Sequence, residues 1–238
     1  MRHVMAIVML AAAAHGQDVP EHTDDIRTLT PAQARQVAAR TDVLSLDGLA
    51  TLPADVADEL ARHRCTVDLR SPLAPALHLN GLVSITPETA VSLAKHAGGS
   101  SLNGLATITP AAAGALAKCE GVLSLGGLKW VSPEVAAALA QHDGDLWMAG
   151  LKTLSREVAE ALAKHRARLF LRGLETLADD AAEALANHGG GLYLLGLQSL
   201  SDDAAATLRA NPHVRLPGRW RAAGKDRTPV PAAAAVRP

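Results

Sequence analysis

The chain has 238 residues, 48% of them hydrophobic and 20% charged, with a formal net charge of −1. So little charge beside so much apolar surface excludes an ordinary disordered chain, and near-neutrality removes any global electrostatic case for nucleic acid. Three Trp, one Tyr and one Phe are the only large aromatic side chains, so the core must be built from Leu, Ala and Val, in many similar layers rather than one irregular interior.

At the start, Met1-Arg2-His3 is basic and Val4 to Ala14 is an apolar run of eleven residues, with small residues at Ala12, Ala14 and Gly16. A membrane span takes about 20 apolar residues, so residues 1–16 read as a secretory signal peptide, cleaved after Ala14 or Gly16. Export to the periplasm, envelope or exterior is the expectation. No cysteine follows to carry a lipid, and no later segment is apolar enough for a transmembrane span. Residues 17–28 read as a polar linker, in which His22, Asp24 and Asp25 need no further role.

From residue 29 internal repetition dominates. Glycines recur at 48, 81, 104, 127, 150, 173 and 196, the last five steps being 23 residues each and the first 33. A leucine follows every one, and Leu46, Leu79, Leu102, Leu125, Met148, Leu171 and Leu194 stand two places before. Within the long step, Val67-Asp68-Leu69-Arg70 copies the strand pattern, which suggests a unit that keeps its strand and loses its helix. Val214 to Gly218 reads as a final strand, giving nine candidate strands; at about 4.8 Å each, the sheet would extend roughly 38 Å.

Each unit reads as strand, turn, helix, turn. Apolar residues alternate in Leu169-Phe170-Leu171-Arg172-Gly173, the period of a half-buried strand. Thr86-Pro87-Glu88, Thr109-Pro110-Ala111 and Ser132-Pro133-Glu134 are helix starts: a hydroxyl cap, a proline suited to the first turn, and in two of them an acid that complements the dipole. Ala159, Leu162 and Ala163 make an i, i+3, i+4 stripe, and Gly98, Gly121, Gly144 and Gly190 are expected as left-handed helix caps. One unit cannot bury its apolar face alone, so units must stack.

The motif Leu-x-Leu-x-Gly-Leu-x-x-Leu followed by a capped helix resembles the leucine-rich repeat family, in its short bacterial form with a 23-residue period. The resemblance covers residues 29–218 and implies an α/β solenoid: a curved stack with a parallel β-sheet on the concave face and short α-helices on the convex face. The family's turn asparagine aligns with Leu49, Leu82 or Leu105, so no asparagine ladder is expected.

Several residue groups invite chemistry. His63, His96, Cys119, His142, His165 and His188 form a column at the helix ends; on successive parallel helices they cannot converge on one ion, so helix-end bonding explains them and no metal is implied. Cys65 and Cys119 are either two buried thiols or a disulfide across an intervening repeat. No nucleophile elbow, zinc-protease helix or phosphate loop is present, and Gly189-Gly190-Gly191 precedes a strand as a turn. A non-enzymatic protein without cofactors is expected.

The outward row of the strands reads Ser45, Asp68, His78, Ser101, Ser124, Trp147, Phe170, Tyr193 and Arg215. Three of the five aromatics are consecutive in it, and Asp145, Arg168 and Arg172 stand beside them. Aromatics with arginine are the composition of binding hot spots, so these six residues are the candidate site, for a protein partner or a glycan. Cross-strand stacking or burial under the tail would account for the same rings. The sequence leaves the oligomeric state open. Residues 219–238, rich in Arg, Pro and Ala, read as a disordered basic tail, although Trp220 could fold back as a cap.

Overall fold

The computed structural model describes residues 23–66 and 75–220. Helices and strands alternate: α1 (Pro31–Ala38), β1 (Leu44–Ser45), α2 (Ala54–Leu60), β2 (Leu77–His78), α3 (Pro87–Leu93), β3 (Ser100–Ser101), α4 (Pro110–Leu116), β4 (Leu123–Ser124), α5 (Pro133–Leu139), β5 (Leu146–Trp147), α6 (Arg156–Leu162), β6 (Leu169–Phe170), α7 (Asp179–Leu185), β7 (Leu192–Tyr193), α8 (Asp202–Ala210) and β8 (Val214–Arg215). The strands form one parallel sheet in sequence order. The register never slips: Leu77 pairs with Ser100, Leu123 with Leu146, and Leu169 with Leu192. Helices pack about 8–10 Å apart and strands about 4.8 Å apart, so such a stack curves with its sheet inside.

Two-residue strands contribute little hydrogen bonding of their own, so cohesion comes from the core between sheet and helices. The residues on either side of each outward position, such as Leu44 and Leu46 or Leu169 and Leu171, are buried, as are Leu60, Leu93, Leu116, Leu139, Leu162 and Leu185 on the helices. Each such leucine contributes about 1.5–3 kcal/mol. Helix faces carry alanine (Ala113, Ala136, Ala159 and Ala182 are fully buried), which lets consecutive helices lie close. Ser100 is the exception among the inward strand residues, its hydroxyl 3.5 Å from His96 Nδ1.

The helix starts are as expected. Thr86, Thr109, Ser132, Ser155 and Ser201 each accept a hydrogen bond from the backbone N–H three residues on, and Thr30 forms a reciprocal box with Gln33. The helix ends correct the sequence reading. Helices α1 to α7 close on alanines in the right-handed conformation, such as Ala94 and Ala140. Gly98 and Gly121 have positive φ but lie beyond the cap, and Gly144 and Gly190 do not have it. Close approach requires glycine at these last two: a Cβ would fall 1.8 Å from the Gly121 carbonyl oxygen or 2.1 Å from that of Ala167.

The turn glycines obey the same rule. A Cβ on Gly104 would lie 2.0 Å from the Asn80 carbonyl oxygen and 2.7 Å from that of Leu82. Each turn sits directly on the turn before it, and a side chain there would wedge them apart.

Two further expectations change. β1 pairs directly with β2, Leu44 against Leu77 and Ser45 against His78, so no strand intervenes. The expected strand at 67–70 lies outside the described residues. Ahead of α1, the segment read as a linker is packed from residue 23 on. It forms a 3-10 turn at Thr23–Asp25 and places Ile26 in the core. Asp24 and Ile26 stand 23 residues before Asp47 and Leu49, and their carbonyl oxygens crowd Gly48 as those of Asp47 and Leu49 crowd Gly81. Residues 24–26 thus repeat the geometry of the later turns. After β8 a 3-10 turn at Gly218–Trp220 lays Trp220 against the core, with Arg219 stacked on its ring at 4.1 Å.

Candidate functional site

The concave face divides in two. Over β1 to β4 its outward residues are Ser45, His78, Ser101 and Ser124, and the turn beside them holds a polar ladder that the sequence reading denied. Asp47 Oδ1 accepts from Asn80 N at 2.8 Å, Asn80 Oδ1 from Asn103 N at 3.0 Å, and Asn103 Oδ1 from Gly126 N at 2.6 Å. Serine hydroxyls donate into the same rungs, Ser101 to Asn80 at 2.6 Å and Ser124 to Asn103 at 2.8 Å. Ser45 donates likewise to Asp24. The ladder column lies two places before the leucine with which the family asparagine was aligned, which is why the alignment missed it.

Over β5 to β7 the outward residues are aromatic. Phe170 stacks on Tyr193 with ring centroids 4.3 Å apart and 12° between planes, and on its other side Trp147 is 5.0 Å away, tilted by 49°. The guanidinium of Arg172 lies 5.6 Å from the Phe170 centroid. Covered on three sides, Phe170 is only 2% exposed, so it supports the row rather than offering a surface. Trp147 and Tyr193 remain half-buried.

The two neighbouring arginines behave differently. Asp145 is buried and held by Arg168 in a fork, Nε to Oδ1 at 3.0 Å and Nη2 to Oδ2 at 2.7 Å. Arg172 makes no ion pair among the described residues, and its Nε, like Trp147 Nε1, is covered without a hydrogen-bond partner. Of the six candidate residues, then, Trp147, Tyr193, Arg168 and Arg172 are accessible in part, while Phe170 and Asp145 hold them in place.

The helix-end histidines are all buried to 1% exposure or less. Their rings stack along the solenoid, His63 on His96 at 5.6 Å, His142 on His165 at 6.4 Å and His165 on His188 at 6.0 Å. Three of them bond the preceding unit rather than their own helix: His63 Nε2 donates to Asp42 O at 2.9 Å, and Nε2 of His142 and His188 lies 3.1 and 3.2 Å from Gly121 O and Ala167 O. Burial pushes His63, His165 and His188 below the ordinary imidazole range and His96 down to about 4. Cys119, in the same column, is a buried thiol pushed up to about 12 by that burial, and it forms no disulfide with Cys65. No cluster of three or more potential ligands is found among the described residues, and no described helix is long and apolar enough to cross a membrane.

One surface residue escaped the sequence reading. Trp130 is 66% exposed at a position where other units carry Thr107, Thr153 or Thr176. With Ile108, Pro110, Val131 and Val135 it lines a cavity of about 270 Å³. The broken threonine column was the available signal.

No family profile and no curated protein matches the chain. Among solved structures it is similar to a leucine-rich-repeat protein of Leptospira interrogans, 16% identical with a TM-score of 0.26, over 78% of this chain and 68% of that one. An overlap so low carries no argument about the site. The 23-residue strand–helix period and the single parallel sheet in sequence order make the chain a leucine-rich-repeat-like α/β solenoid.

Proposed function

We propose that the chain is an exported, non-enzymatic scaffold that binds another protein through the concave sheet, at the C-terminal half of that face. The observation that carries the reading is the change from a self-bonded polar ladder to a stacked aromatic row flanked by arginines. Ladder side chains spend their polar atoms on the protein itself, whereas Trp147, Tyr193 and Arg172 stay partly exposed, and Arg172 makes no ion pair among the described residues. The basic and apolar start of the chain supports export.

A glycan is less well served. Sugars stack on open ring faces, and here both sides of Phe170 and one side each of Trp147 and Tyr193 are taken up by the row itself. A purely structural role in the cell envelope remains the competing account, and it predicts indifference to changes in the row.

The test is affinity capture from the native envelope fraction with wild type and with the Trp147→Ala, Tyr193→Ala double variant. Phe170 is left intact because truncating a buried ring costs about 3–5 kcal/mol and would confuse folding with binding. A protein captured by wild type and lost with the double variant supports the reading. Equal capture by both, or self-association alone, favours the structural account. N-terminal sequencing of the mature protein tests export: a start at Met1 overturns it.

A further inference from the structure

We propose that the aromatic row takes a carboxylate-bearing segment of a protein partner, with Arg172 as its anchoring cation; this rests on the concave face being the binding surface. Arg172 stands in the ladder column, 23-residue steps beyond Asn80, Asn103, Gly126 and Ala149. The early members of that column are acceptors that bond the next unit's backbone. Arginine has only donors, so at this place the column stops serving the chain and presents a positive charge instead.

The charge is preorganised and unneutralised. The guanidinium lies against Phe170, which fixes the long side chain before any partner arrives and so lowers the entropy lost on binding. Arg168, nearby, already has its carboxylate in Asp145; Arg172 has none among the described residues. A part-exposed guanidinium with no carboxylate among the described residues calls for an acceptor that bears negative charge, and a carboxylate meets it in a two-point fork.

The other half of the face opposes the same ligand. Asp24 and Asp47 lie on the concave side of the first turns, and like charge repels an acidic segment there. Docking is therefore polar, with the acidic part of the partner over β5 to β7.

The experiment measures binding of a short Glu-Gly peptide and of the same peptide with Gln for Glu, by fluorescence anisotropy, to wild type, Arg172→Gln and Lys164→Gln. Lys164 is exposed beyond the end of α6, so its replacement removes equal charge away from the row. The expected result is binding of the Glu peptide alone, about tenfold weaker in Arg172→Gln, unchanged in Lys164→Gln, and weakened by salt. Equal thermal melting of Arg172→Gln and wild type verifies that folding is intact. No binding of the Glu peptide, equal binding of the Gln peptide, or equal weakening in both variants overturns the proposal. Capture of the native partner separates the two readings: loss with the Trp147, Tyr193 double variant but not with Arg172→Gln sinks the carboxylate anchor and spares the concave surface, whereas retention in both sinks the two together.

Discussion

Asn103 Oδ1 accepts the backbone N–H of Gly126 at 2.6 Å, and Gly126 has no side chain to pass the bond to the next unit. The ladder ends there, one strand before Trp147. A Cβ on Gly126 would meet that same oxygen at 2.8 Å, so the residue that ends the ladder is also the one that admits its last rung. Removing the rung strands a part-buried N–H, which costs about 1–3 kcal/mol. Asn103→Ala should lower stability by that amount in urea unfolding, while Asn103→Asp, which keeps the acceptor, should lose less.

The two kinds of glycine should respond in opposite directions to alanine. At Gly104 a Cβ meets backbone oxygens at 2.0 and 2.7 Å, whereas at Gly114, within α4, its nearest neighbour is Ala138 Cβ at 4.0 Å. Gly104→Ala should cost about 2–3 kcal/mol through forced displacement of a turn. Gly114→Ala should add about 0.5–1 kcal/mol through helix propensity. Paired thermal melts decide it, and a shared direction would contradict the close-stacked turns.

Ala178 has the extended backbone of its capping counterparts, φ −71° and ψ 156° against −76° and 163° at Ser155, but no hydroxyl to cap α7. Ala178→Ser should stabilise by about 1 kcal/mol. An unchanged melting temperature would show that Asp179 and Asp180 already meet the need.

Acid should loosen the stack through the histidine column. His63, His96, His165 and His188 have folded values below the unfolded one near 6.5, so the unfolded chain binds more protons once the pH drops below that value. Stability is therefore full above about 6.5 and falls as pH drops towards about 4, where His96 alone accounts for about 3 kcal/mol. The charged groups near the column are Asp42 and Arg64 beside His63, Arg64 beside His96 and His213 beside His188; only Asp42 opposes the effect. Glu88, Glu134 and Glu157 are held below their usual range by hydrogen bonds at the helix starts, so acid acts on them in the same direction. Unfolding followed from pH 7 to pH 4 should show the loss, with a shallower slope in His96→Gln.

The repeat was legible because identical steps superpose weak signals: one leucine says little, but seven at a fixed offset from glycine define the strand, its register and its buried face. The outward row followed from period-two alternation alone, and Trp147, Phe170 and Tyr193 are indeed neighbours across three strands. What sequence could not supply was who covers whom. Phe170 disappears between its neighbours because ring stacking, not strand direction, sets exposure. Asp47, Asn80 and Asn103 were overlooked because a family consensus was placed on the leucine column instead of asking which side chain reaches the next unit's free N–H. The start of the packed chain was misplaced because a single turn, carrying only Asp24, Ile26 and Leu29 of the pattern, lacks the repetition that exposed the rest.

The direct pairing of β1 with β2 has a consequence for how the chain tolerates change. Leu44 faces Leu77 across the same step that joins every other pair of strands, although 33 residues separate them in place of 23. The strand register is thus the same for a step of 33 residues as for one of 23, and closing a longer connection costs little more with each added residue. A connection lengthened further between β1 and β2 should therefore leave Leu44 opposite Leu77, adding surface at one end of the sheet while the aromatic row, on β5 to β7, stays where it is.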